Sequence, residues 1–415
     1  MTNLKDSNRL AVYLQDELTG HLWLDERKRF VFQYNPQILN SSASNALSIS
    51  LPIRAQPYAD DTARPFFANI LPESEIRRII TRRLGISEQN DFMLLKIIGG
   101  ECAGAVSVLP EGILPQEKPG YQELSENELH KIITELPGKP LLAGEKGIRL
   151  SLAGAQNKLP VYVRKGKIFL ATGNAPSTHI IKPSIRELES LVFNEGFCMM
   201  LARKMAMNVP DVIIRKSLDA LFIIQRFDRT INAKGKVTRL HQEDFCQALG
   251  ILPQQKYETE GGPSLAQCFE LISRVSIKPA ADRLALLRWV VFNVLIGNAD
   301  AHAKNLAILL TSPGPRLAPF YDLISTEIYD NLTNKLAMKI GNEDRPDWLQ
   351  PRHWKKFADT VHMKQNLVLN VMTEMAADIL PCARSIAEEL SKANGKDKVF
   401  EKILSGIEKR VRKIS

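Results

Sequence analysis

The sequence lacks the features that mark secreted, disulfide-bonded and membrane-spanning proteins. Its N-terminus, MTNLKDSNRL, has no apolar core of the kind found in secretory signals. The longest apolar stretch, WVVFNVLIG at 289–297, is too short to cross a bilayer. There is no CxxC pair to suggest a zinc or redox site, no internal repeat and no low-complexity tract. We therefore expect a soluble protein of the reducing cytoplasm with no membrane partner. Its cysteines are scattered at Cys102, Cys198, Cys246, Cys268 and Cys382.

The charge balance is mildly basic. Across 415 residues, 55 Lys and Arg against 46 Asp and Glu give a net charge of +9. This permits an anionic partner such as nucleic acid, ATP or an acidic protein, but enzymes without a nucleic-acid role can be equally basic. The length favours two or three domains.

Hydrophobic patterning divides the chain into three parts. Residues 1–110 have short strand-like runs (AVYLQ, FVFQY, LSISLPI) and an amphipathic helix near 73–84, which predicts a small mixed subdomain. Residues 111–235 hold a hairpin, a strand, a helix and a second hairpin, the element order of a kinase N-lobe. Residues 236–415 turn helical and predict a C-lobe. The expected fold class is α+β, two-lobed and protein-kinase-like, with a small N-terminal subdomain.

The strongest chemical signal is GNADAHAKNLAIL followed by PFYDLIS. Kinases place an Asp and an Asn five residues apart on a catalytic loop, and a second Asp after a short hairpin completes the magnesium site. Asp300 and Asn305 have this spacing, and Asp322 follows a hairpin turn at 313–315. The pattern predicts Asp300 as catalytic base, with Asn305 and Asp322 holding Mg²⁺. The alternative is that the three residues share no site: Asp300 would cap a helix, Asn305 would lie on the surface and Asp322 would belong to a turn.

The histidine of this loop follows the Asp instead of preceding it. His302 gives the order D-x-H-x-x-N, whereas ordinary protein kinases have the His first. That order resembles the phosphatidylinositol 3/4-kinase-like superfamily, and it keeps a lipid or small-molecule kinase open as an alternative.

Three further segments predict ATP contacts. Lys182 ends the third N-lobe strand, where a cation would hold the phosphates, and Glu195 on the next helix is its candidate partner. A solvated lysine is the alternative there. In QRFDR, the backbone of Gln225 and Phe227 would bond adenine, unless Arg226 and Asp228 merely cap the strand. The loop SLAGAQNK would let backbone amides approach phosphate, or it is a plain turn. Its proposed contacts are Ala153, Gly154, Ala155, Gln156, Asn157 and Lys158.

These motifs together resemble the HipA family of toxin kinases. RLSLAGAQNK, STHIIKP, NVPD, QRFDR, QEDFCQALG, YETEGGP, GNADAHAKN and FYDLIS occur in the family's order, and LPESEIRRII and GGECAGAVSVLP match its N-terminal part. The resemblance implies a cytoplasmic Ser/Thr protein kinase toxin that uses ATP and Mg²⁺. It implies autophosphorylation at Ser151 and nucleotide contacts from Arg226, His302, Lys304 and Tyr321 in addition to those above. Two departures are Gln225 and Asn157, where the family often carries Glu.

The resemblance also implies partners. These are a HipB-like helix-turn-helix antitoxin and a protein substrate, for which an aminoacyl-tRNA synthetase is the leading candidate. Operator DNA would be contacted only indirectly or electrostatically, through basic stretches such as 77–83. A catalytically silent module that bridges antitoxin and DNA is a further alternative, which the intact set of Lys182, Asp300, Asn305 and Asp322 disfavours.

Overall fold

A computed structural model describes residues 9–40, 46–115, 120–145, 148–173, 175–185 and 187–414. The expected absence of a secretory signal concerns residues that lie mostly outside this range. The chain forms two compact units. Unit 1 comprises residues 1–182, 225–254 and 309–311, and unit 2 comprises 183–224, 255–308 and 312–415. This division follows spatial contacts, so the domain boundaries at 110 and 235 stay predictions.

Unit 1 begins with an antiparallel sheet that has one buried face. Its strand order is β3-β2-β1-β4, and Phe30, Phe32 and Tyr34 alternate inward from β3. Phe66 and Phe67 of the second helix complete an aromatic core against this face. The strands are β1 (Arg9–Leu14), β2 (Glu17–Leu24), β3 (Phe30–Tyr34) and β4 (Val106–Pro110), and the helices are α1 (Pro36–Leu39), α2 (Asp60–Asn69), α3 (Ser74–Leu84) and α4 (Asp91–Ile98).

A second sheet in unit 1 carries the predicted phosphate loop at its start. Lys165 and Gly166 both have positive φ and close the tight turn of the predicted hairpin. The order β5-β7-β6-β8 places the third N-lobe strand beside that hairpin. The elements of this part of unit 1 are β5 (Gly120–Glu123), α5 (Glu126–Glu135), β6 (Leu159–Arg164), β7 (Lys167–Thr172), β8 (His179–Pro183), β11 (Arg229–Ile231), β12 (Val237–Arg239), β13 (Gln242–Asp244) and α7 (Phe245–Leu249).

Unit 2 is mostly helical. Trp289 and Phe292 are fully buried, and Phe197 stacks on Phe400 with ring centroids 5.8 Å apart. A short ladder that includes Ala318 N–H to Ala307 O follows the predicted catalytic loop. The helices are α6 (Leu191–Lys204), α8 (Leu265–Val275), α9 (Pro279–Ile296), α10 (Pro351–Thr360), α11 (Gln365–Asn394) and α12 (Lys398–Ile414), and the strands are the second hairpin, β9 (Val212–Lys216) with β10 (Ala220–Gln225), and the short β14 (Ala307–Leu309) and β15 (Arg316–Leu317).

The predicted order of hairpin, strand, helix and hairpin is confirmed, and so is a mixed helix-and-sheet fold. The strand predicted at 47–53 is wrong: Ser48 and Leu51 form only an isolated bridge around a turn. The helix predicted near 73–84 begins at Ser74, and the helix of the predicted N-lobe begins at Leu191. All five cysteines are free thiols. Among the described residues, no helix has the length and apolarity needed to span a bilayer.

Candidate active site

The loop after α9 is held by hydrogen bonds on both sides. Gly297 ends α9 in a left-handed conformation. Thr326 Oγ1 accepts the N–H of Ala299 at 2.7 Å and donates to Gly297 O at 3.1 Å. Asn298 binds the Asn293 side chain at 2.7 Å and accepts the N–H of Asp300 at 3.1 Å. Asp300 therefore stands exposed on a fixed backbone, which is what a base that must meet an incoming hydroxyl requires.

The candidate metal ligands converge. The Asn305 Oδ1 accepts the N–H of His302 at 3.1 Å, and its Nδ2 lies 3.3 Å from Asp322 Oδ2. Asp322 has φ of +54°, a left-handed conformation that is uncommon for non-glycine residues, although aspartate adopts it more readily than most. One carboxylate and one amide oxygen suit Mg²⁺. Among the described residues no cluster of three or more His, Cys, Asp or Glu could hold a metal, so water or phosphate oxygens would have to complete the coordination.

Other predicted residues of this loop are buried around it. His302 and Lys304 are almost fully buried. The Tyr321 hydroxyl donates to the backbone oxygen of Lys304 at 2.7 Å, so this tyrosine fixes the predicted catalytic loop next to Asp322. Its predicted contact with ATP is a separate role and stays a prediction.

The predicted phosphate loop in unit 1 is anchored next to α3. Gly154 forms a parallel bridge with Pro72 and has φ of +109°. The Lys158 ammonium donates to Ala153 O at 2.5 Å, so the lysine curls back over the loop. A Cβ at position 154 would lie 2.6 Å from the Lys158 Nζ, a contact that the flexible lysine could relieve by moving, so the positive φ is the reason that glycine is needed here. Asn157 Oδ1 is buried and has no hydrogen-bond partner within the described part of the chain.

Ser151 is fully buried. Its hydroxyl donates to Ile70 O at 3.0 Å, and its N–H donates to Glu101 O at 3.0 Å. The backbone of the predicted phosphorylation site is thus tied to Glu101. A phosphoryl group could not be added to this hydroxyl without moving the segment, because the serine has no exposed surface.

The Glu101 side chain connects the segment around Ser151 to QRFDR, the predicted adenine-binding segment. Its carboxylate lies 3.0 Å from both Arg226 and Arg229 and accepts bonds from Ser177. Burial alone would raise the pKa of Glu101, but the neighbouring arginines outweigh burial and lower it. Asp228 pairs with Arg226 at 2.8 Å, and its pKa is likewise lowered despite burial. The Arg–Asp pair that was the alternative interpretation of QRFDR is therefore present.

The Arg226 guanidinium is occupied by hydrogen bonds to other groups of the protein. The group is bonded to Glu101, Asp228, Ser177 and the backbone oxygen of Cys102, so any contact of this residue with ATP would have to use its backbone. Gln225 and Phe227 are only half-buried and remain accessible to a ligand. Lys182, on β8, and Glu195, on α6, are both buried, but they belong to different units and their pairing stays a prediction.

The sequence motifs missed one contact at the candidate base. The Tyr257 hydroxyl donates to Asp300 Oδ1 at 2.7 Å, and the tyrosine ring packs edge-on against His302 with centroids 5.4 Å apart. Tyr257 opens the YETEGGP motif, which resembles the family but suggested no role from its residues alone. Glu101, in GGECAGAVSVLP, was missed in the same way.

Comparison with known proteins identifies the family. Residues 10–109 match the HipA N-terminal domain, and residues 150–382 match the HipA-like C-terminal domain. The Sinorhizobium fredii protein Y4mE is 40% identical over 390 residues, 92% of each chain. The Ser/Thr-protein kinase toxin HipA of Shewanella oneidensis is 31% identical over 384 residues, 89% of this chain and 87% of that one.

A solved structure agrees with this assignment. The Shewanella oneidensis HipA in complex with HipB and its operator DNA superimposes with a TM-score of 0.84, at 28% identity and with 98% of both chains covered. This chain belongs to the HipA family, and it is a Ser/Thr protein kinase, an enzyme class that uses ATP. The phosphatidylinositol 3/4-kinase-like label stays a prediction.

Proposed function

We propose that this kinase is the toxin of a toxin–antitoxin module and that Asp300, Asn305 and Asp322 form its catalytic centre. The observation that carries the proposal is the convergence of Asn305 and Asp322 beside a loop that presents Asp300 to solvent. Asp300 accepts the proton of a Ser or Thr hydroxyl, and that oxygen bonds to the γ-phosphorus while the bond to the β-phosphate oxygen breaks. Asn305 and Asp322 would hold Mg²⁺, which neutralises phosphate charge.

The residues of unit 1 would bind the nucleotide. We propose that Lys182 and the backbone of residues 153–158 contact its phosphates, and that the backbone of Gln225 and Phe227 contacts the adenine. The positive φ and close packing at Gly154 support a loop shaped for close approach to an anion. Transfer of radiolabelled γ-phosphate from Mg-ATP, lost in Asp300→Asn, tests the assignment. Normal transfer by Asp300→Asn would contradict it.

Ser151 would act as an off switch. Its hydroxyl is buried against Ile70 O, and a phosphoryl group of about −1.5 to −2 charges cannot stay there without a cationic partner. Phosphorylation therefore requires the segment to leave its place, which disrupts the phosphate loop two residues on. Mass spectrometry after incubation with Mg-ATP should find phosphate at Ser151 in the active protein and not in Asp300→Asn. A phospho-Ser151 protein that binds ATP and remains fully active would refute the switch.

The substrate would be a translation component, for which an aminoacyl-tRNA synthetase is the leading candidate. This rests on family membership, since no described contact identifies the substrate. Phosphoproteomics after brief expression, with Asp300→Asn as control, tests it directly. Equal growth arrest by both proteins would show that phosphoryl transfer is not the cause of toxicity.

A HipB-like helix-turn-helix antitoxin is the proposed partner, because the Shewanella HipA was solved with HipB and operator DNA. DNA contact by this chain would be electrostatic and secondary. Three arginines of the basic helix α3 are already paired with carboxylates, which reduces the charge that this helix could offer to DNA. Arg77 pairs with Asp91, Arg78 with Glu75 and Arg83 with Glu145. Operator binding by the chain alone at physiological salt would contradict this view. Co-purification with the antitoxin, and relief of growth arrest by it, test the partnership.

A further inference from the structure

Tyr257 is the one side chain that the structure describes as hydrogen-bonded to the Asp300 carboxylate. Its hydroxyl donates to Oδ1 at 2.7 Å, and the tyrosine is only half-buried. The ring lies edge-on to His302 at an interplanar angle of 73°. This geometry leaves the other carboxylate oxygen, Oδ2, for a substrate hydroxyl.

The turn that carries Tyr257 has a fixed shape. Residues Glu258–Glu260 form a single 3₁₀ turn, and Gly262 N–H returns to Tyr257 O at 2.9 Å. A Cβ at position 262 would lie 2.0 Å from Gln255 O, a distance that no side chain tolerates. The two glycines of YETEGGP therefore exist to close this turn, with Gly261 in a left-handed conformation.

Backbone bonds connect this turn to the catalytic loop through one segment. Glu258 N–H donates to Ala337 O at 3.1 Å, and Ala337 N–H donates to Ala299 O at 2.9 Å. The Glu258 carboxylate also accepts Lys339 N–H at 2.6 Å. Residue 257 and residue 300 are thus held at a set separation by the main chain, and their side-chain contact does not depend on an exposed side chain finding its partner by chance.

We propose that Tyr257 is a positioning residue for the catalytic base, an inference that rests on the proposed role of Asp300. A lone carboxylate on an exposed loop turns freely about its side-chain torsions, and each misaligned rotamer is unproductive. A phenol donor on Oδ1 holds the carboxylate in one orientation. Because the phenol keeps its own proton, Oδ2 remains able to accept the proton of the Ser or Thr hydroxyl during attack on the γ-phosphate.

The test is Tyr257→Phe, which removes the hydroxyl and keeps the ring against His302. The acceptor is the Asp300→Asn chain in excess, with radiolabelled Mg-ATP as donor. We expect kcat to fall roughly five- to fiftyfold, the effect of losing one hydrogen bond to a charged group, while the KM and Kd for ATP are unchanged. Tyr121→Phe is the matched control, because its half-exposed hydroxyl also has one acceptor, Pro176 O at 2.9 Å.

The outcomes separate this inference from the proposed function. Asp300→Asn as active as the parent would defeat the proposed site. An inactive Asp300→Asn with an unchanged kcat in Tyr257→Phe would defeat only the positioning role. A faster Tyr257→Phe would also overturn it, because the hydroxyl would then be blocking the base. The double variant Asp300→Asn, Tyr257→Phe should transfer phosphate no more slowly than Asp300→Asn alone, because the tyrosine acts only through the Asp300 carboxylate.

Discussion

Replacement of Glu101 by alanine should strongly destabilise unit 1, because this carboxylate is the counter-ion of several buried arginines. It is 1% exposed and lies 3.0 Å from Arg226 and from Arg229. Its removal leaves the buried Arg226 and Arg229 to pair with Asp228, the other carboxylate that the structure describes beside them. Breaking a buried ion pair by removing one partner costs about 3–5 kcal/mol. In a unit of this size we expect the thermal midpoint to fall by roughly 10 °C.

The measurement is urea denaturation at pH 7 followed by circular dichroism, with hydrogen exchange of peptides covering 99–110 and 222–232 to locate the loss. Glu101→Gln keeps one carbonyl acceptor and should lose less, about 2 kcal/mol. Glu75→Gln is the control, because Glu75 pairs with Arg78 on the surface and both side chains are 54% exposed. Its effect should be near zero. Equal urea midpoints for Glu101→Ala and Glu75→Gln would refute the reasoning.

Three other substitutions test the site and the buried groups. Asp322→Ala should weaken Mg-ATP binding by calorimetry, whereas Asp300→Asn should spare it; equal affinities would contradict the division of roles. Gly262→Ala should disrupt the turn that carries Tyr257 and lower kcat, and Gly138→Ala, whose Cβ would lie 3.6 Å from its nearest neighbour, Glu135 O, should not. Burial raises the pKa of Glu243 to about 8, so its contribution to stability is full below about pH 4.5 and is lost as the pH rises through about 8. In Glu243→Gln the free energy of unfolding should lose this decline, at most about 1.4 kcal/mol per pH unit, and an unchanged pH profile would contradict it.

Local signals in the sequence predicted much of the fold. The predicted hairpin turns at Lys165-Gly166 and the helix predicted near 73–84 is followed by Gly85, and both glycines have the positive φ that few other residues adopt. The run at 47–53 failed for a tertiary reason. Its alternation is that of a strand, but Ser48 and Ile49 instead bond the buried carboxylate of Glu243, 194 or more residues away.

The residues of the candidate site likewise fall into two groups, those that local sequence patterns predict and those that depend on long-range packing. The spacing of Asp300 and Asn305 is local and could be found directly. The contact between Tyr257 and Asp300 spans 43 residues, and that between Glu101 and Arg226 spans 125. No periodicity encodes such pairs, since they depend on how the chain packs. The burial of Ser151 was equally invisible, because a serine near a glycine-containing loop looks exposed in sequence.

The backbone conformation at Asp322 suggests which mutations could inactivate a kinase of this kind. Its φ of +54° suits glycine better than aspartate, and relief of about 1 kcal/mol of strain would offset the extra entropy that glycine loses on folding. A single base transition converts an aspartate codon to a glycine codon. The product would lose its proposed metal ligand and the contact with Asn305 Nδ2, but its backbone could keep the same conformation at position 322. Cells that escaped the proposed toxicity by this route would still make a full-length chain, which would remain available to bind the proposed antitoxin.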